Sequence, residues 1–598
     1  MKRSRAAWSA VAMIAASALV LSACSSGGGS NTSSGSASGE EKVALDTPYN
    51  RPQVPDIGAV VVTVDEAAHN YNNNTGANNS LASVYVDTLL QPSPYFVDAN
   101  TTLRIDKDYM DSITVKSQSP FVLEYKWRPE AVWSDGQPVG CKDMYLLWLA
   151  ANATAKNGAA QIFDSSPNGY DQISKLDCSP DGKTVTANFS KPYADYRGLF
   201  TTVGQSGSQL VPAHLLEAKT GIADITKLDP KTDSPDLRKA ADFFTTKWNG
   251  YDPAVALSAG PYKVESWTDN ASTVLVRNDK WWGAPGGPSK LTITGVTDSQ
   301  ANVQKLFNKE AQVIAPQADS AISEQIRAQG GAFTSFAQQG QTYEHIDLQM
   351  SKPLFKDNPE FRKAIAACVN RDDIVNKLIK SVDDKAKPLG AFLYLPTESE
   401  YQDFYGDTGK GNVADAKKLM EAGGWALGAD GVYAKNGVRA SFKLGHKLVD
   451  RRTQTAQLVA GSCKPAGIEV IDDPSQDFNS KRLPAGDFDA ALFAWVGSPI
   501  KSSNVPNYLT KAKGGTANYN SYSNPQVDDL LLASTTELDQ AKRAQDFHDA
   551  DKLMAADLHS IPLFQLPDFA ASDSSITPVS YLGFSGGALW NAFAWRKK

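Results

Sequence analysis

The first forty residues limit what can fold, because they cannot be part of a packed core. Lys2, Arg3 and Arg5 precede an uncharged, mostly apolar run from Ala6 to Val20, which ends in Leu21-Ser22-Ala23-Cys24. A basic start, a short apolar stretch and small residues before a cut site form the pattern of a secretory signal peptide, which is removed rather than folded. The run is short for a membrane span. Residues 25–39 are almost entirely Ser, Gly, Ala and Asn. Such a composition has no apolar surface to bury and behaves as a flexible tether.

Leu21-Ser22-Ala23-Cys24 resembles the bacterial lipobox. That resemblance implies that the Cys24 thiol carries a diacylglycerol and that the new amino terminus is acylated (palmitate being the expected acyl chain). Several acyl chains, each contributing about 0.8 kcal/mol per buried methylene, would hold the protein at a membrane. The expected location is extracytoplasmic, anchored to the outer face of the cytoplasmic membrane.

The 598 residues exceed what one core supports and imply two or three domains. The net charge of −7 gives no basic face for nucleic acid. Alternation at Phe121, Leu123, Tyr125 and Trp127 predicts a half-buried strand. Ser134-Asp135-Gly136 predicts a turn before a helix from about Asp143 to Ala151, and Thr268-Asp269-Asn270 the turn of a hairpin between Tyr262–Trp267 and Thr273–Arg277. Further helices are expected over Val413–Ala422, stopped by Gly423-Gly424, after the Asn524-Pro525 cap, and from about Leu538 to His559.

Several of these segments carry a more specific pattern. Trp133-Ser134-Asp135-Gly136-Gln137-Pro138-Val139 with Asp143, Gly260-Pro261-Tyr262, and Arg277-Asn278-Asp279-Lys280-Trp281-Trp282 recur in order. They are followed by Phe355 to Ile374 with Arg362 and Arg371-Asp372, Asp415-Ala416-Lys417-Lys418-Leu419 with Gly424-Trp425, Gly467-Ile468-Glu469-Val470, and Phe488-Asp489-Ala490. Together they resemble the family 5 extracellular solute-binding proteins, the peptide and nickel binders of ABC importers. Pro129 to Gly136 and Lys191-Pro192-Tyr193-Ala194 look most like actinobacterial oligopeptide-binding lipoproteins. Read residue by residue, these motifs suit turns, strand entries and core packing, so they identify a scaffold rather than a ligand site.

The resemblance implies an α/β, two-lobed periplasmic-binding-protein-like fold, type II, of the large class with an extra inserted domain. On that template residues 1–23 are the signal peptide and 24–54 the lipid anchor and tether. Lobe I takes 55–90, 207–312 and 565–598, the inserted domain 91–206, and lobe II 313–564. Closure of the lobes would bury a ligand without covalent chemistry. The expected ligand is an oligopeptide or peptide-like solute, and the expected partners are the permease subunits and ATPase of an ABC importer. A monomer is expected, with no cofactor and no metal. With Cys24 acylated, four cysteines remain. An even remainder outside the cytoplasm is compatible with two disulfides, Cys141–Cys178 and Cys368–Cys463, each within one expected domain; four buried thiols are the competing reading.

Ligand contacts are also expected from the resemblance. A cleft motif that supplies an aspartate for a peptide's amino terminus corresponds here to Trp495-Val496-Gly497-Ser498, with neutral Ser498 where the carboxylate is expected. Glu344 is an alternative source of negative charge. Arg451 aligns near a ligand carboxylate, Tyr343 and His345 lie on a strand like a cleft-lining one, and Asn78 and Asn79 fall near the first lobe's edge. Competing readings are a specialised non-peptide solute, a lipoprotein receptor without transport, and a hydrolase built on Gly583-Phe584-Ser585-Gly586-Gly587. That G-x-S-x-G pattern needs Asp and His after the serine, and residues 588–598 contain neither.

Overall fold

The computed structural model describes residues 45–75, 80–158, 160–165, 167, 169–202, 208–317 and 320–598. The signal peptide, Cys24, the Ser/Gly tether, and Asn78 and Asn79 lie outside the described residues.

One ten-stranded sheet organises the described chain. Its strands are β1 (Gly58–Val64), β2 (Tyr262–Thr268), β3 (Ser272–Arg277), β4 (Pro288–Gly295), β5 (Val313–Ala315), β6 (Phe333–Leu348), β7 (Ser441–Lys447), β8 (Glu469–Ser475), β9 (Ala490–Val496) and β10 (Ser560–Asp573). They lie in the order β2-β3-β4-β1-β5-β10-β6-β9-β7-β8. Strands β4, β1 and β5 run parallel to one another, as do β9, β7 and β8. The sequence of β1, Gly-Ala-Val-Val-Val-Thr-Val, suits a central parallel strand: Val60, Val62, Thr63 and Val64 are all buried.

The long antiparallel pair β6 and β10 joins the two parallel groups. The Phe333–Gln339 half of β6 pairs with Pro567–Asp573, and β5 pairs with the same end of β10. The Tyr343–Leu348 half pairs with Ser560–Gln565 on one side and with β9 on the other. Each half of the sheet has its own core, one built around Val62, Trp248 and Trp595, the other around Phe361, Leu444, Phe547 and Phe564. The architecture is therefore two α/β lobes joined by crossing strands.

A separate four-stranded antiparallel sheet lies in the segment between β1 and β2, with strands Met110–Gln118, Phe121–Trp127, Ile173–Cys178 and Thr184–Phe189. Its core includes Trp127, Trp133 and Tyr125. Cys141 is bonded to Cys178 here, and Cys368 to Cys463 in the second lobe.

The sequence motifs are structural. Trp133 is fully buried and its indole donates to Asp143 Oδ2 at 3.3 Å; the same oxygen accepts the Gly140 N–H at 2.9 Å, closing the start of the Cys141–Asn152 helix. Asp143 Oδ1 accepts the Ala213 N–H at 2.9 Å. Burial pushes this carboxyl up to about 6, against those donors. Gly260 is required by packing, since a Cβ there would lie 2.2 Å from the Leu89 carbonyl oxygen. Arg371 is buried with its guanidinium donating to the carbonyls of Thr408, Tyr405, Leu389 and Pro562. The Asn524 side chain accepts the Gln526 and Val527 N–H groups and Pro525 opens the next helix, a cap worth about 1 kcal/mol. The long helix runs from Gln540 to Asp557, shorter at both ends than its hydrophobic pattern suggests, because the Asp539 side chain caps the start and Leu558 turns left-handed at φ 49°.

Candidate functional site

Strand register brings two sets of carboxyl ends to one place. β5 pairs Val313 with Ser572 and Ile314 with Ala571, so its carboxyl end advances along β10 toward Asp568, and β1 and β4 run beside it. β9 pairs Ala490 with Leu348 and Val496 with Thr342, so it advances toward the same point of β6 from the other lobe. At that point the β6–β10 ladder is interrupted between Gln339 and Tyr343. Open α/β sheets bind ligands outside the carboxyl ends of their strands. By that rule the interruption at Gly340-Gln341 marks the candidate floor of a cleft between the lobes.

The second lobe's wall is apolar at its rim. Leu448 and Val449, which follow β7, and Val496, at the end of β9, are 46%, 37% and 43% exposed. Trp495 is half-buried, pairs across the strands with Tyr343, and stacks on Tyr519 with ring centroids 5.6 Å apart. Gly497 donates its N–H to the Gln341 carbonyl at 2.8 Å and approaches Leu395, where a Cβ would stand 2.5 Å from a methyl carbon. Ser498 is also half-buried, and its Oγ accepts the Ile500 N–H at 3.0 Å, so the hydroxyl shapes the loop. Ile500 in turn packs with Leu582, Phe584 and Tyr95 across the cleft.

Other expected contacts lie deeper. Tyr343 is fully buried and its hydroxyl bonds Tyr508 at 2.6 Å. His345 is 1% exposed, with its ring 4.3 Å from Phe493; neither ring nitrogen has a hydrogen-bond partner. Burial, aided by the neighbouring His559 and the Arg452 guanidinium, pushes it down to about 3, which keeps it neutral. Arg451 Nη2 and Arg452 Nε donate to Glu344 Oε1 at 3.2 and 3.0 Å. Glu344 has no exposed side-chain surface, so its charge answers two internal arginines and is not a free anchor. The Arg451 side chain, 32% exposed, keeps one edge toward solvent.

Residues that motif reading passed over occupy the floor. Gln565 Nε2 donates to the Gly340 carbonyl at 2.7 Å, bridging the interrupted ladder. Asp568 follows at the first-lobe side, paired across with Gln338, its carboxylate beside Gly340 and Gly583. The available signal was a lone carboxylate in the apolar run Ile561 to Ala571. The Gly583 to Gly587 loop is a packing device: a Cβ on Gly586 would lie 2.3 Å from Trp590 Cα, and one on Gly587, at φ +53°, would lie 2.8 Å from the Tyr85 ring. Ser585 closes that turn by donating its N–H to Leu582.

Two α/β lobes joined by crossing strands, with both sets of strand ends converging on one point, are the architecture of a solute-binding protein. The profile of the bacterial extracellular solute-binding proteins, family 5, matches residues 108–517, and the chain belongs to that family. It is 25% identical over 585 residues to the oligopeptide-binding protein OppA of Mycobacterium tuberculosis, covering 95% of this chain and 90% of OppA. Over 618 residues it is 26% identical to an uncharacterized lipoprotein of Mycobacterium leprae, covering 98% of each. Among solved structures, the periplasmic EDTA-binding protein EppA superposes with a TM-score of 0.78 at 23% identity, over 92% of this chain and 98% of EppA. OppA and EppA are both named as binding proteins, as is the family.

Proposed function

We propose that this chain is a lipid-anchored lipoprotein that captures oligopeptides in the cleft between its lobes and delivers them to the permease and ATPase of an ABC importer. The observation that carries this reading is the convergence of both lobes' strand ends on the interrupted β6–β10 ladder, beneath an apolar rim of Leu448, Val449 and Val496. Apolar walls with a few placed polar groups favour solutes with side chains and a repeating polar backbone. The 25% identity to OppA across nearly the whole chain supports the oligopeptide class.

Trp495, Gly497, Ser498 and Arg451 are the proposed second-lobe contributors, and Asn78 and Asn79 the proposed first-lobe ones. Tyr343 and His345 support the wall from behind, given their burial. Lipidation at Cys24 and the outer-face location rest on the Leu21-Ser22-Ala23-Cys24 sequence and on the lipoprotein relative. No helix among the described residues is long and apolar enough to cross a membrane.

A second reading, a specialised non-peptide solute, is favoured by the close fold match to an EDTA-binding protein. The test is to purify the full chain natively, denature it, and identify released small molecules by mass spectrometry. A heterogeneous set of peptides is expected. One defined non-peptide species would overturn the peptide assignment.

A further inference from the structure

Asp568 is a carboxylate held where a carboxylate is costly. Its Oδ2 accepts the Gly583 N–H at 3.1 Å, and that is its one hydrogen bond among the described residues. No lysine, arginine or histidine among them forms an ion pair with it. Burial pushes its pKa up to about 7, with the Gly583 N–H opposing, which is the signature of a charge lacking a cation. Nearby, burial raises the Tyr581 phenol and the Asp568 charge raises it further.

The backbone around it is cleared for the carboxylate. A Cβ on Gly340 would stand 2.3 Å from Asp568 Oδ1, and one on Gly583 2.7 Å from the same atom. Two glycines on separate segments therefore frame Oδ1, which receives no donor from the described protein. The position is central to the cleft: Asp568 touches Gly340, and Gln341, next in sequence, holds Gly497 of the opposite lobe. Three other buried carboxylates have partners. Asp195 meets Arg543, Asp106 meets Arg51, and Asp551 accepts the N–H groups of Phe392 and Leu393.

We propose that Asp568 is the charge anchor of the cleft, binding a primary ammonium group of the ligand through the oxygen framed by Gly340 and Gly583. The proposal rests on the oligopeptide reading. A peptide offers this chemistry at its amino terminus or on a lysine side chain. An ammonium lowered onto Oδ1 brings a compensating charge and a charge-assisted hydrogen bond to a carboxylate that no cation of the described protein pairs, so the cost of keeping it there becomes affinity for a cation. An anionic chelate gains nothing from this carboxylate.

The test is calorimetry on the full chain in detergent with three pentapeptides of alanine and phenylalanine: one with a free amino terminus, its N-acetylated form, and the acetylated form carrying one lysine. The wild type is expected to bind the free-amine peptide about 30-fold more tightly than the acetylated one, the range of a hydrogen bond to a charged group. Asp568→Asn is expected to abolish that preference while changing affinity for the acetylated peptide less than about twofold. Its melting temperature should hold or rise, because an unpaired, half-buried charge has been removed. Recovery of affinity by the lysine peptide assigns the site to any ammonium, and no recovery assigns it to the amino terminus. Equal wild-type binding of the free and acetylated peptides, or a preference that survives Asp568→Asn, overturns the anchor and leaves the oligopeptide reading intact. A lowered melting temperature with equal loss for all three peptides overturns it in favour of a structural role. If none of the three binds the wild type, the oligopeptide reading falls and the anchor falls with it.

Discussion

Asp195 and Arg543 are 348 positions apart in sequence and face each other through two charge-assisted hydrogen bonds, Nη1 to Oδ1 at 2.7 Å and Nη2 to Oδ2 at 2.6 Å. Both side chains are 5% exposed. Burial alone would raise the Asp195 carboxyl; the Arg543 guanidinium reverses this and holds it below its ordinary range. The Ser502 N–H, from the loop after β9, also donates to Oδ2 at 2.6 Å. This pair ties the four-stranded segment to the second lobe beside a cavity of about 160 Å³ lined by Lys191, Tyr193, Ile500 and Ser502.

Removing one partner of such a pair leaves the other buried and unpaired, at a cost of about 3–5 kcal/mol. Arg543→Ala is expected to shift the ligand-free protein toward open forms, seen as a larger radius of gyration by small-angle scattering. Scattering and melting unchanged from wild type would show that the pair does not hold the lobes together.

The Cys368–Cys463 bridge closes a segment of 95 residues in the second lobe. Chain-entropy reasoning gives about 2–5 kcal/mol of stabilisation for a loop of this size. Cys368→Ala with Cys463→Ala should lower the urea midpoint of the second lobe by a corresponding amount. A midpoint within error of wild type contradicts this.

How much of this was legible beforehand depends on what each residue does. Trp133, Gly260, Arg371 and Asp143 announced the family because their packing and backbone bonding fix the scaffold, and the Phe121–Trp127 strand and the Val413–Ala422 helix were readable from local pattern. The cleft was only partly readable. Trp495 and Gly497 stand at the carboxyl end of β9, whereas Tyr343 and His345 are buried in the core, a distinction set by the fold and not by residue type. Glu344 looked available until the fold placed Arg451 and Arg452 against it. Asp568 became visible only once the register put both sets of strand ends beside it, since nothing local marks a carboxylate as unpaired.

Trp495 is half-buried and rests on Tyr519. Trp495→Ala should weaken peptide binding about tenfold, the scale of an aromatic contact with its buried area. Its melting temperature should fall only slightly, because Trp495 is only half-buried. An affinity equal to wild type in a calorimetric titration would remove Trp495 from the binding wall.

His345 couples stability to pH. In the unfolded chain its imidazole titrates near 6.5, whereas in the fold burial pushes it down to about 3. Between those values the unfolded state binds more protons, so stability contributed by this site is lost as pH falls from about 6.5 toward 3. His345→Phe should therefore gain about 2 kcal/mol over wild type between pH 7.5 and pH 5, measured by urea unfolding at both. At pH 7.5 the change should be small, because neither ring nitrogen has a hydrogen-bond partner to lose. A variant-to-wild-type difference independent of pH contradicts the assignment.

The central claim is that the ligand lies over the interrupted β6–β10 ladder, between the two sets of strand ends. A peptide carrying a photoreactive phenylalanine, cross-linked to the full chain and mapped by mass spectrometry, tests this directly. The account predicts adducts within residues 338–344, 495–498 or 565–583. Adducts confined to the cavity around Lys191 and Ser502, or to the outer surface of either lobe, would contradict it.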